Sequence, residues 1–97
     1  MNEIRFDWDE KKAKSNIKKH GISFSEAQSV FDDDVARLIP DPDHSEEEER
    51  FILLGISCTL NILVVVHCYR DQDSVIRLIS ARKATKSEAK QYKEFLA

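Results

Sequence analysis

The chain has 97 residues, 41% apolar and 34% charged, with two glycines, two prolines and two cysteines. That length gives one domain with a modest core, and the composition excludes the disordered and fibrous classes. The net charge is only −3, the longest apolar run (Ile62 to Val66) is too short to cross a bilayer, and the first residues, Met1-Asn2-Glu3-Ile4-Arg5, lack the apolar stretch of a signal peptide. The charge is unevenly spread. Residues 32–49 hold nine of the 18 acids and one base, Arg37, so the remainder carries +5 and can present a basic face. Cys58 and Cys68 share no metal or redox spacing and read as reduced thiols of a cytoplasmic protein.

In chain order, Ile4 to Trp8 alternates apolar and polar, which predicts a short first strand. Asp7 or Asp9 caps the helix that follows, from about Glu10 to His20. Its apolar residues are Ala13 and Ile17, and its exposed face is basic: Lys11, Lys12, Lys14, Lys18 and Lys19. Gly21 takes the left-handed conformation that ends this helix, with Ile22 packing back on Ile17. Ser23-Phe24-Ser25-Glu26 is a capping box opening a second helix, about Phe24 to Phe31, which buries Phe24, Ala27, Val30 and Phe31. Val35 to Ile39 is a short strand, stopped by Pro40-Asp41-Pro42-Asp43. The acidic run Ser45 to Glu49 continues that loop or adds a turn of helix. Arg50 to Ile56 is the next strand, then a turn over Ser57 to Leu60. Asn61 to Tyr69 is nearly continuous in apolar residues, as a strand covered on both faces requires. Asp71-Gln72-Asp73 turns the chain into Val75 to Arg82. Thr85-Lys86-Ser87-Glu88 is a further capping box, opening a helix from Lys86 to Leu96 with Ala89, Tyr92, Phe95 and Leu96 on one side. The order is β-α-α-β-β-β-β-α. It predicts a single α+β domain over 1–97, a small and mostly antiparallel sheet packed by helices.

The chain has no glycine-rich phosphate loop and no nucleophile elbow. No two histidines or cysteines share a metal-ligand spacing, and the four consecutive glutamates lack the alternation and glycine of a calcium loop. His67 is in phase with Leu63 and Val65 and reads as a satisfied, partly buried side chain, whereas His44 falls in the acidic loop. His20 ends a helix, where it either caps carbonyls or holds a phosphate or proton. What remains is a set of cations at strand and helix ends: Arg50, Arg70, Arg77, Arg82 and Lys83, with Lys19 and His20. RNA cleavage without a metal needs a deprotonated 2′-hydroxyl, cations on the phosphorane charge and a proton for the leaving 5′-oxygen. These residues can supply such parts, and they can equally be surface charges paired with the acidic segment.

The pieces Phe6-Asp7-Trp8-Asp9, Asn16, Lys19-His20-Gly21-Ile22-Ser23-Phe24, Ala27, Phe31-Asp32, Pro40-Asp41, Glu49-Arg50 and Arg77-Leu78-Ile79-Ser80-Ala81-Arg82-Lys83-Ala84-Thr85, with Glu88 and Tyr92, resemble in order and spacing a BrnT-type toxin of a type II toxin–antitoxin system. The resemblance implies a RelE-like fold and an endoribonuclease that cuts messenger RNA and arrests translation, cytoplasmic in a prokaryote, with no cofactor. It implies a BrnA-type partner, an antitoxin whose ribbon-helix-helix domain binds operator DNA. On this basis His20, Arg77 and Arg82 are the expected catalytic residues, and Lys19, Arg50 and Lys83 the expected ligands of the RNA phosphate. The competing expectation is a non-catalytic module that serves only as the antitoxin's partner and corepressor.

Overall fold

The computed structural model describes residues 3–42 and 48–96. The elements are β1 (Arg5–Asp7), α1 (Glu10–His20), α2 (Phe24–Ser29) with one 3-10 turn after it (Val30–Asp32), β2 (Arg37–Pro40), β3 (Phe51–Ile56), β4 (Ile62–Arg70), β5 (Val75–Lys83) and α3 (Lys86–Leu96). Of the acidic run, residues 45–47 lie outside the described residues, as does His44.

The five strands form one sheet in the order β1-β5-β4-β3-β2. From β2 to β5 each strand is antiparallel to the next, but β1 pairs parallel to β5, Phe6 opposite Ile76. The expectation of a mostly antiparallel sheet is thus corrected to a mixed one. The reason is connectivity. Short turns join β3 to β4 and β4 to β5 and fix their alternation, whereas β1 is joined to β2 at the far edge through two helices, so no turn fixes its direction.

Local capping starts and stops the helices. Asp9 accepts the backbone N–H of Lys11 at 2.8 Å and of Lys12 at 3.3 Å, which opens α1. Gly21 has φ 72° and donates its N–H to the Ile17 carbonyl at 2.8 Å, which closes it. Ser23 Oγ accepts the Glu26 N–H at 3.0 Å. The Thr85 box is reciprocal: Thr85 N donates to Glu88 Oε1 at 2.8 Å, and Glu88 N donates to Thr85 Oγ1 at 3.1 Å.

The main core lies between α1, α2 and one sheet face. Ala13, Ile22, Phe24, Ala27 and Val30 meet Leu53, Leu63, Val65, Ile76, Leu78 and Ala81. Ile22 is buried here, but Ile17 is 51% exposed, so the expected contact between them gives way to Ile22 entering the sheet core. The buried polar residue of α1 is Asn16. Its amide donates to the Ala81 carbonyl at 2.8 Å and the Ile22 carbonyl at 2.9 Å, and its oxygen accepts the Ala81 N–H at 3.0 Å. β1 pairs with β5 only as far as Arg77, so the outer edge of β5 beyond it would otherwise be unpaired, and Asn16 completes it.

On this same face Gly55 lets β3 pass close to the turn before β2. A Cβ there would meet Ala36 Cβ at 2.8 Å, Asp33 Oδ2 at 2.9 Å and Val30 Cγ1 at 2.9 Å. Gly55→Ala is therefore expected to destabilise the fold by about 1–3 kcal/mol, read as a lower urea midpoint with an unchanged slope.

The opposite face is only partly covered. Tyr92 of α3 packs on Leu54 and Val64 and donates its hydroxyl to Asp33 Oδ2 at 2.6 Å. Asp33 also accepts the backbone N–H of Ile56 at 2.9 Å and of Val35 at 3.1 Å, tying the turn, β3 and α3 together. Phe95 and Leu96, expected on the buried side of α3, are 56% and 51% exposed, with the Arg37 guanidinium over the Phe95 ring at 5.0 Å. Among the described residues Tyr92 is the buried side chain of this helix. The rest of this sheet face lies beyond the helix.

Candidate functional site

The uncovered part of that face is built by register. Cys68 of β4 sits opposite Arg77 of β5, and Arg77 opposite Asp7 of β1, so the three side chains share one rung and one face. Arg70 lies two residues beyond Cys68 on the same face. Arg77 Nη1 donates to Asp7 Oδ2 at 2.8 Å. Glu48 reaches in from the segment before β3, and its Oε1 accepts from Arg70 Nη2 at 2.6 Å and from the Cys68 thiol at 2.9 Å. The Cys68 hydrogen bond holds the Glu48 carboxyl below the usual range. Partial burial opposes this, and the charges of Arg70, Arg50 and Arg77 reinforce it. The Cys68 thiol is itself pushed up by burial and by Glu48. Arg50 completes the group: it is half-buried, and its Nε is buried without a hydrogen-bond partner among the described residues. An arginine donor left open beside two other guanidiniums is suited to an anion with several oxygens.

Of the cations singled out from the sequence, the structure brings Arg50 and Arg77 together with Arg70 around Glu48. Arg82 lies on the same face for a particular reason. Five residues apart on a regular strand, Arg77 and Arg82 would point to opposite sides. Ile79, however, has no partner in the register, and this bulge returns both to one face. Arg82 pairs opposite Val64 and Arg77 opposite Cys68, which at the strand rise separates their rungs by roughly 13 Å. The Arg82 guanidinium is held bidentate by Glu88, Nη1 to Oε1 at 2.7 Å and Nη2 to Oε2 at 3.0 Å. This pair, with the Thr85 N–H, takes the Glu88 carboxyl down to about 2. Arg82 thus fastens the start of α3 to the end of β5.

The remaining cations lie elsewhere. Lys83, opposite Leu63, faces the other side and is exposed. Lys19 and His20 are exposed in the last turn of α1, the helix packed on the opposite sheet face. The His20 side chain makes no hydrogen bond or ion pair among the described residues. Glu48 and Asp7 are the site residues that sequence reasoning did not single out. Glu48 was hidden in an acidic run, and only the sheet register puts Asp7 beside Arg77.

His67, expected to be partly buried, is fully buried. It is ringed by Phe31 at 4.9 Å, Tyr69 at 5.3 Å and Phe51 at 6.2 Å between centroids. Nδ1 lies 3.2 Å from the Val65 carbonyl, which makes it the donor, and Nε2 lies 3.3 Å from the Tyr69 hydroxyl, which donates to it. Burial keeps this imidazole neutral by pulling its pKa below the ordinary 6.5. The unfolded chain then binds a proton that the folded chain refuses, so stability falls as pH drops from about 6.5 towards the folded value. Urea denaturation at pH 7.5 and pH 5.5 is expected to show this loss in the wild type and not in His67→Phe.

The model of the ribonuclease toxin BrnT of type II toxin–antitoxin systems matches residues 8–88. No curated protein matches the chain. The fold is similar to the 1.1 Å crystal structure of the Brucella abortus ribonuclease toxin BrnT, with a TM-score of 0.67 and 25% sequence identity, over 86% of this chain and 99% of that one. No helix among the described residues is long and apolar enough to cross a membrane. With the family match spanning most of the sequence, the chain belongs to the BrnT family of ribonuclease toxins of type II toxin–antitoxin systems.

Proposed function

We propose that this protein is a metal-independent endoribonuclease that cleaves messenger RNA and thereby inhibits translation, one domain of RelE-like fold acting in the cytoplasm of a prokaryote. Family membership implies an RNA target and an antitoxin. The antitoxin proposed here is of BrnA type, meeting operator DNA through its own ribbon-helix-helix domain. The observation that carries the site is the convergence of Arg50, Arg70 and Arg77 on the sheet face that α3 leaves open. Guanidiniums there can bind the scissile phosphate and stabilise the charge that builds on it. The reading also gives catalytic work to His20 and Arg82, and phosphate contacts to Lys19 and Lys83. Support is strongest for Arg77 and Arg50, because Arg82 is taken by Glu88 and the others lie apart from the cluster.

One observation favours the non-catalytic alternative, a module that only binds its antitoxin: Arg70, Arg77 and Arg82 each face a carboxylate of the chain itself. The two readings separate on one assay. Purified chain, freed of antitoxin, is incubated with labelled messenger RNA and EDTA. Cleavage supports the enzyme; intact RNA, with ribosomes absent and then added, leaves the binding module.

A further inference from the structure

Glu48 places a carboxylate inside the arginine cluster. Its Oε1 accepts from Arg70 Nη2 at 2.6 Å and from the Cys68 thiol at 2.9 Å, and the charges of Arg50 and Arg77 also reach it. A carboxylate there is an anion on guanidiniums suited to a phosphate. The fit is incomplete, because Arg50 Nε stays buried with no hydrogen-bond partner among the described residues. The Arg70–Glu48 pair is also open to water. Its side chains are 48% and 31% exposed, so the two can part without disturbing the core. Asp7 has a different place: it stands on the rung itself, on β1 beside Arg77, and pairs with that one arginine.

We infer that Glu48 is a built-in competitor of the RNA phosphate: its carboxylate holds Arg70 until RNA binds, and then turns out to solvent and yields the arginines. This rests on the reading above of this face as the RNA site. The number of acceptors favours the exchange. The carboxylate satisfies Arg70 and leaves Arg50 open, whereas the oxygens of a phosphate can accept from both. Its departure also removes a negative charge from beside the phosphate. The Cys68 thiol leaves none in its place, because burial pushes its pKa up and keeps it neutral. The carboxylate on Arg70 is then compatible with a working RNA site.

The test compares wild type with Glu48→Gln, Glu48→Ala and Asp34→Asn, each confirmed folded by circular dichroism. Asp34 is exposed in the turn before β2 and controls for net charge. Two readouts need no catalysis: affinity for a short RNA made uncleavable by 2′-O-methylation, and the rise in melting temperature on adding inorganic phosphate. Glu48→Gln and Glu48→Ala are expected to bind that RNA about tenfold more tightly than wild type, because a like charge has left the phosphate site. Phosphate is expected to raise their melting temperatures more than that of wild type. Asp34→Asn is expected to match wild type in both. An RNA affinity of Glu48→Gln equal to or weaker than that of wild type overturns the inference, and so does equal tightening by Asp34→Asn. Both outcomes leave the nuclease reading standing. That reading fails separately, through a folded wild type that cleaves no RNA.

Discussion

Asn16→Ala is expected to cost this domain more stability than any surface change on α1. The substitution leaves the N–H and C=O of Ala81 and the C=O of Ile22 without their partner in a site that is 5% exposed. A buried backbone group left unsatisfied costs about 1–3 kcal/mol. Three of them together predict a loss of at least about 3 kcal/mol, and in a domain of this size that lowers the melting temperature on the order of 10–20 °C. Lys14→Ala, two residues away and exposed, is the control and is expected to leave the melt unchanged. A small effect of Asn16→Ala would mean that water or a shifted β1 takes over the edge of β5.

Arg77→Ala and Arg82→Ala are expected to fail in different ways. Arg77 pairs with Asp7 across a half-exposed surface, with side chains 29% and 47% exposed, and such pairs contribute little to stability. Its removal is expected to leave the melt nearly unchanged and to lower RNA cleavage about a hundredfold, the usual consequence of deleting one preorganised donor to a charged transition state. Arg82→Ala breaks the bidentate pair that holds Glu88 over the first turn of α3. It is expected to lower the melting temperature, and the folded fraction is expected to cleave more slowly than wild type only if Arg82 also touches the phosphate. Arg82→Lys is not expected to restore the melt, because an ammonium cannot make the two parallel bonds. A stable Arg82→Ala with cleavage lost would return Arg82 to the reaction.

Much of this architecture is legible along the chain because it is local. Asp9, Gly21, Ser23 and Thr85 announce helix ends through bonds spanning four residues or fewer, and each does what its position predicts. Glu26 shows where locality ends. It looks like the second half of a capping box, but its carboxylate turns to Ser57, Thr59 and Asn61, residues brought near by the β3–β4 turn. The direction of β1 was not legible, since three residues carry no pairing signal. Asn16 reads as a polar position on a basic helix until the free edge of β5 is seen beside it. The site has the same character. Arg77 and Arg50 stand out by charge, but the bulge at Ile79, the rung through Cys68 and the approach of Glu48 follow from pairing between distant segments. Arg82 stands out equally by charge, and its bidentate pair with Glu88 is seen only in the structure.

The proposed reaction requires RNA to bind on the open half of the sheet, over Arg50, Arg70 and Arg77. The most direct measurement is an NMR titration of isotopically labelled protein with a short RNA made uncleavable by 2′-O-methylation. The predicted result is a set of shifted resonances confined to Arg50, Cys68, Arg70, Arg77 and the neighbouring Asp7, with the end of α1 unmoved. Shifts gathered instead at Lys18, Lys19 and His20, with the β4–β5 rung unaffected, would contradict it and move the RNA to the opposite face.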